Sequence, residues 1–126
     1  MSIGFIGIGT MGKPMVRNLI DAGHDMVLHD TNPATYNDFN FDAVTIAQSP
    51  AEVAASTEVI FTSLPGPSEL ESVTLGKGGI IEGINPDAVQ VDTSTVSPST
   101  IEKISKEFSK ISAHLIDAPV SGGPIG

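Results

Sequence analysis

Ile3-Gly4-Phe5-Ile6-Gly7-Ile8-Gly9-Thr10-Met11-Gly12-Lys13-Pro14-Met15 is the stretch whose reading decides the fold. It opens on an apolar run of strand length, Ile3 to Ile8, and closes on a helical pattern whose apolar stripe is Met15, Leu19 and Ile20. Three glycines in GxGxxG spacing lie at the junction. In that setting Gly7 permits a tight turn, Gly9 lets the backbone approach a pyrophosphate, and Gly12 lets the helix pack close to the strand. The new helix offers free N–H groups and the positive end of its dipole to phosphates. Pro14 falls in its first turn, where a missing donor costs nothing. The spacing predicts a phosphate site over Gly7, Ile8, Gly9, Thr10, Met11 and Gly12; without the flanking strand and helix, three glycines would mark only a turn.

Working outward, further apolar runs have strand length: Met26 to His29, Ala43 to Ile46, Val59 to Leu64, Ala88 to Val91 and His114 to Ile116. Several are apolar on both faces, as buried parallel strands are. Four intervening segments open on a capping residue followed by proline, at Asn32-Pro33, Ser49-Pro50, Gly66-Pro67 and Ser97-Pro98. Proline suits the first helical position, where no donor is needed. Ser49 also has Glu52 three residues on, which makes a capping box. After Ser97, the residues Ile101, Ile104, Phe108 and Ile111 are spaced for burial, while Lys103, Lys106 and Lys110 fall on a solvated face. Strands alternating with capped helices imply right-handed crossovers and one α/β domain over residues 1–126. The expected architecture is a doubly wound parallel sheet of about six strands with helices on both faces, the Rossmann fold. Gly76-Lys77-Gly78-Gly79 resembles a phosphate loop only superficially, because Gly78 stands where serine or threonine is needed, and it reads as a mobile surface loop.

Composition removes several function classes. Six basic residues against fifteen acidic ones leave a formal charge of −9. That charge repels phosphate backbones and anionic lipids, so neither nucleic acid nor membrane is an expected partner. Cysteine is absent, which excludes a disulfide framework and a thiolate metal site, and no metal is expected. No run approaches the roughly eighteen apolar residues of a membrane span, and the first strand candidate begins too near Met1 for an apolar leader. The expected compartment is the cytoplasm.

The second strand candidate ends beside Asp30, eighteen positions after Gly12. The glycine fingerprint places an acid about there for the adenosine ribose hydroxyls. A site for a 2′-phosphate would place arginine or lysine nearby, yet neither occurs between Arg17 and Lys77. A carboxylate beside a phosphate costs on the order of 1 kcal/mol at about 4 Å even in water. The cofactor reading is therefore NAD rather than NADP. The alternative is that Asp30 only caps the turn into Asn32-Pro33.

Gly4 to Met15, followed by Asn18-Leu19, resembles the opening of the 3-hydroxyisobutyrate dehydrogenase family of β-hydroxyacid dehydrogenases. Three later segments resemble that family in the same order: Ser63-Leu64-Pro65 its loop after strand four, Asp92-Thr93-Ser94-Thr95 its loop after strand five, and Asp117-Ala118-Pro119-Val120-Ser121-Gly122-Gly123 its substrate signature. The resemblance implies an NAD-dependent enzyme that oxidises a small 3-hydroxy acid to its semialdehyde. It implies that Leu64 and Pro65 meet the adenosine half of the cofactor with Glu69 nearby, that Ser63 in the same loop is cofactor-binding, and that Thr95 holds the nicotinamide end. Ser121, Gly122 and Gly123 would offer hydroxyl and N–H donors to the substrate carboxylate. All lie after strand ends, in the crevice where open α/β sheets bind ligands. Plainer readings stand beside these: Pro65 as a turn, Ser94 and Thr95 as a helix-entry cap, Gly122-Gly123 as a linker.

The family continues into a helical domain that carries its catalytic lysine, and this sequence ends at Gly126, ahead of it. No catalytic residue is assigned here. Lys13 sits in the phosphate-loop helix, the other lysines on a solvated face or loop, and the three histidines before or within strand candidates. The expectation is cofactor binding without turnover by this chain alone, an apolar surface where the helical domain would pack, and compatibility with a homo-oligomer. Two other readings stay open: a tartronate semialdehyde reductase, because the same substrate signature serves both, and a non-catalytic NAD-binding or assembly module.

Overall fold

The computed structural model describes residues 2–9, 11–39, 42–94 and 96–119. The strands are β1 (Ser2–Ile6), β2 (Asp25–His29), β3 (Val44–Ile46), β4 (Val59–Thr62), β5 (Val89–Asp92) and β6 (His114–Asp117). All pair in parallel, in the order β3-β2-β1-β4-β5-β6. The chain thus winds outward twice from β1, and the crevice between the carboxyl ends of β1 and β4 is the switch point where such sheets hold ligands. The helices are α1 (Gly12–Asp21), α2 (Pro50–Ala55), α3 (Pro67–Leu75) and α4 (Pro98–Ser109), with 3₁₀ turns at Pro33–Asp38 and Ile80–Glu82. Among the described residues no helix is long and apolar enough to cross a membrane.

Alternation along the strands fills two cores. Ile3 and Phe5 of β1 and Met26 and Leu28 of β2 face one side, where they meet Val16 of α1 and Phe39. Ile6, Val27 and Ile60 face the other, against Val53 of α2, Leu70 of α3 and Ile104 and Phe108 of α4. Fully burying one such side chain stabilises by roughly 1.5–3 kcal/mol, so both layers hold the sheet. Cover is uneven. Phe5, Phe61, Val91 and Ile116 lie in register across β1, β4, β5 and β6, and the row runs from a wholly buried Phe5 to an Ile116 that is 50% exposed. Of that row only Ile116 is exposed among the described residues.

Several boundaries differ from the sequence reading. β1 stops at Ile6 rather than Ile8, because Gly7 turns the chain at a φ of +91°. Asn32-Pro33 opens a short 3₁₀ turn rather than an α-helix, although Asn32 Oδ1 does accept the Ala34 N–H at 3.1 Å. Ser49 caps α2 as expected, its Oγ accepting the Glu52 N–H at 3.2 Å, whereas Ser97 turns its hydroxyl to those of Ser99 and Thr100. Ile111 falls past the end of α4 and is 37% exposed. The loop around Lys77, expected to be mobile, is tied down: Ala51 N–H donates to the Gly78 carbonyl at 3.0 Å, and Gly78 N–H donates to the Glu82 carboxylate at 2.7 Å.

Candidate functional site

A cleft of about 700 Å³ opens over the carboxyl ends of β1, β2 and β4. Gly7 and Gly9 form its floor, Asp30 and Thr31 one wall, and Ser63, Leu64 and Pro65 the facing wall, with Ser68, Glu69, Ser72 and Val73 of α3 behind them. The structure therefore gathers Gly7, Gly9, Asp30, Ser63, Leu64, Pro65 and Glu69 into one cavity.

The two glycines at the floor serve different ends. A Cβ at Gly7 would lie 2.2 Å from the Ser63 carbonyl, so this residue is bare to let the turn pass under the loop after β4. A Cβ at Gly9 would meet nothing within 4 Å. No packing demand of the described fold explains Gly9, and open space above it is what an approaching pyrophosphate needs. Gly12 is buried and packed inward, its missing Cβ facing the Gly7 carbonyl at 2.5 Å and the Phe5 ring at 2.9 Å. Met11 precedes α1 and is 49% exposed; Ile8 is wholly buried and contributes its N–H rather than its side chain.

Asp30 is half-buried at the end of β2. Its Oδ2 accepts the Ile8 N–H at 2.6 Å and its Oδ1 accepts the Asn32 N–H at 2.8 Å. The turn-capping role and the ligand-facing position coexist, because an ionised carboxylate has about four acceptor sites and these bonds leave two. The backbone of Asp30 is clamped as well: its N–H donates to the Tyr36 hydroxyl at 2.7 Å, and that hydroxyl donates to its carbonyl at 3.0 Å. The acid is thus fixed before any ligand arrives.

Sequence reasoning misses several members of the cavity. Ile6, His29, Thr31 and Pro50 line it, as does Lys77, the only lysine or arginine among the described lining residues. Lys77 reads from sequence as part of a surface loop because Gly78 stands where a phosphate loop needs serine or threonine; only the Gly78 contact to α2 reveals that the fold returns it to the cleft. Thr10, Thr95, Ser121, Gly122 and Gly123 lie outside the described residues.

Deep to the Leu64 wall is a polar cluster built on Asp92, Thr93 and Ser94, a segment that resembles the family's loop after strand five but in which the sequence reading gives Asp92 no role. Asp92, wholly buried at the end of β5, accepts from the Thr62 hydroxyl at 2.9 Å and from the Ser94 N–H at 3.3 Å. Burial pushes its carboxyl above the usual aspartate range, and the nearby charge of Asp117 adds to that; hydrogen bonds from Ser94 and Thr62 pull the other way.

A switch-point cleft with a glycine turn as floor and a fixed acid on its wall is the arrangement of a Rossmann-type dinucleotide-binding domain. The sequence comparison agrees. The chain belongs to the family described as the NAD binding domain of 6-phosphogluconate dehydrogenase, whose model matches residues 2–126. Mouse (Mus musculus) mitochondrial 3-hydroxyisobutyrate dehydrogenase is 39% identical over 121 residues, 96% of this chain and 36% of that protein. The 2-(hydroxymethyl)glutarate dehydrogenase of Eubacterium barkeri is 38% identical over 126 residues, 100% of this chain and 42% of its own length. Among solved structures, Psf3 in complex with NADP+ and 2-OPP superposes with a TM-score of 0.88 at 25% identity, covering 96% of this chain and 43% of that one. The chain thus spans well under half the length of these relatives.

Proposed function

We propose that this chain is the cofactor-binding part of an NAD-dependent dehydrogenase that oxidises a small 3-hydroxy acid to its semialdehyde. The observation that carries the cofactor half is the Asp30 carboxylate, fixed beside the open space over Gly9 with two acceptor sites to spare. Two vicinal ribose hydroxyls would satisfy those sites, and a 2′-phosphate would meet the carboxylate as a like charge. Gly7 and Gly9 would receive the pyrophosphate, and Leu64, Pro65 and Glu69 would border the adenosine. When bound, the nicotinamide supplies the hydride acceptor; the protein supplies binding, orientation and electrostatics. Substrate class rests on the relatives, both of them dehydrogenases named for hydroxy-acid substrates.

Isothermal calorimetry tests this reading, with NAD expected to bind at least tenfold more tightly than NADP. The reverse order would sink the role given to Asp30. For these 126 residues alone, no reduction of NAD by 3-hydroxyisobutyrate is expected, and robust turnover would show that a catalytic base lies within them.

A second reading, in which NADP is also accepted, is favoured by Lys77 in the cleft lining and by the NADP+ in the Psf3 structure. Lys77→Met separates the two. If the ammonium serves a 2′-phosphate, the variant loses NADP affinity and keeps NAD affinity.

A further inference from the structure

The buried polar cluster behind the Leu64 wall forms one continuous chain of hydrogen bonds. It starts on α3, where the Gln90 amide donates to the Thr74 hydroxyl at 3.1 Å, and the same amide donates to the Thr62 hydroxyl at 3.2 Å. Thr62 in turn donates to Asp92 Oδ1, which also accepts the Ser94 N–H. Ser94 ends the chain at the cleft, its Oγ accepting the Leu64 N–H at 2.7 Å. Thr93 reinforces the link, its N–H and hydroxyl both donating to the Thr62 carbonyl at 2.9 Å and 2.8 Å. Past the strand pairing, which ends with Thr62 and Asp92, the two loops are held by this backbone bond and by the Thr93 and Ser94 hydroxyls.

An aspartate is an odd choice for such a place. Asp92 is wholly buried, its Oδ2 finds no partner among the described residues, and its register neighbour across the sheet is another acid, Asp117. A buried charge without a cation is expensive, so burial raises the proton affinity of this carboxyl, which works through Oδ1 as an acceptor.

We propose that Asp92 is a positioning residue that, through Ser94, fixes the Leu64 peptide in the wall of the cleft and so sets the width of the dinucleotide site. This rests on the cofactor reading above, and the test keeps the two apart by using a readout that needs no ligand. Hydrogen exchange at the Leu64 amide is measured by NMR in the free chain and in Asp92→Asn, Asp92→Ala and Ser94→Ala, alongside NAD affinity by calorimetry and the melting temperature. Ser94→Ala leaves the buried carboxyl in place, so it stays informative if Asp92→Ala does not fold.

Ser94→Ala should speed Leu64 exchange, weaken NAD binding by about fivefold and lower the melting temperature by a few degrees, the value of one ordinary hydrogen bond. Asp92→Ala should do the same or more. Asp92→Asn keeps an acceptor oxygen toward Thr62 and Ser94 and should leave both readouts near wild type. Unchanged Leu64 exchange in Ser94→Ala would overturn the proposal, as would an Asn variant as impaired as the Ala variant, which would mean that the ionised carboxylate is needed. A wild-type chain that binds no dinucleotide would sink the cofactor reading instead, and Leu64 exchange would still decide for or against Asp92.

Discussion

The carboxylate of Asp30 receives the N–H of Ile8 at 2.6 Å, so the end of β2 and the glycine turn are joined through the group that faces the proposed ribose site. Asp30→Ala should therefore cost stability as well as affinity, about 1.5–3 kcal/mol for the lost charge-assisted bond. Asp30→Asn keeps one acceptor and loses the charge. It should bind NAD about tenfold more weakly and no longer discriminate against NADP. Calorimetry with both cofactors checks this, and an Asn variant with its full preference intact would place discrimination elsewhere.

Gly7 and Gly9 should respond oppositely to the same substitution. Gly7→Ala forces a side chain into a φ of +91° and against the Ser63 carbonyl, so it should unfold at distinctly lower denaturant, with a loss of about 2 kcal/mol or more. Gly9→Ala meets no neighbour and should change stability by no more than about 0.5 kcal/mol while abolishing most NAD binding. Equal affinity in the Gly9 variant would remove the pyrophosphate from that turn.

Tyr36 acts on Asp30 only through the backbone. Tyr36→Phe removes a hydroxyl that both accepts from and donates to that peptide, and the expected loss is about 1 kcal/mol of stability with a smaller fall in NAD affinity. Urea titration and calorimetry on one preparation separate the two effects.

Two aspartates should give opposite pH signatures. Asp38 is held below its ordinary range by a hydrogen bond from Lys13 and by the charge of that ammonium, at 2.5 Å. Its contribution is present above the unfolded value and fades as pH falls through the lowered one. Asp92 is displaced upward by burial, so the folded state holds its proton more tightly than the unfolded chain does. That contribution is complete below the unfolded value and is lost as pH rises through the folded one. Thermal melts of Asp92→Asn should lack this decline on the rising side, and a melting profile parallel to wild type would mean the carboxyl is not perturbed.

The strands were legible because burial on both faces demands apolar residues in runs, and Val59 to Thr62 or Met26 to His29 can satisfy that in no other way. Capping prolines mark where helices begin and not how far they run, so Asn32-Pro33 looks like Ser49-Pro50. The segment after Asn32 lacks an apolar stripe at helical spacing, and Tyr36 instead folds back to Asp30. Within the site, Gly7, Gly9 and Asp30 could be read because one local motif contains or points to them. The place of Lys77 and the role of Asp92 could not. Lys77 reaches the cleft through a contact between Gly78 and Ala51 that no local spacing encodes, and the work of Asp92 appears only once β4 and β5 lie side by side.

Of the six strands among the described residues, β1 is synthesised first and ends up in the middle of the sheet. Phe5 takes Leu28 as one neighbour and Phe61 as the other, so half its pairing waits for a segment that leaves the ribosome much later. Long-range parallel pairing is slow, and a half-paired strand edge is open to wrong partners. Between the emergence of β2 and that of β4, one edge of β1 therefore stays unpaired.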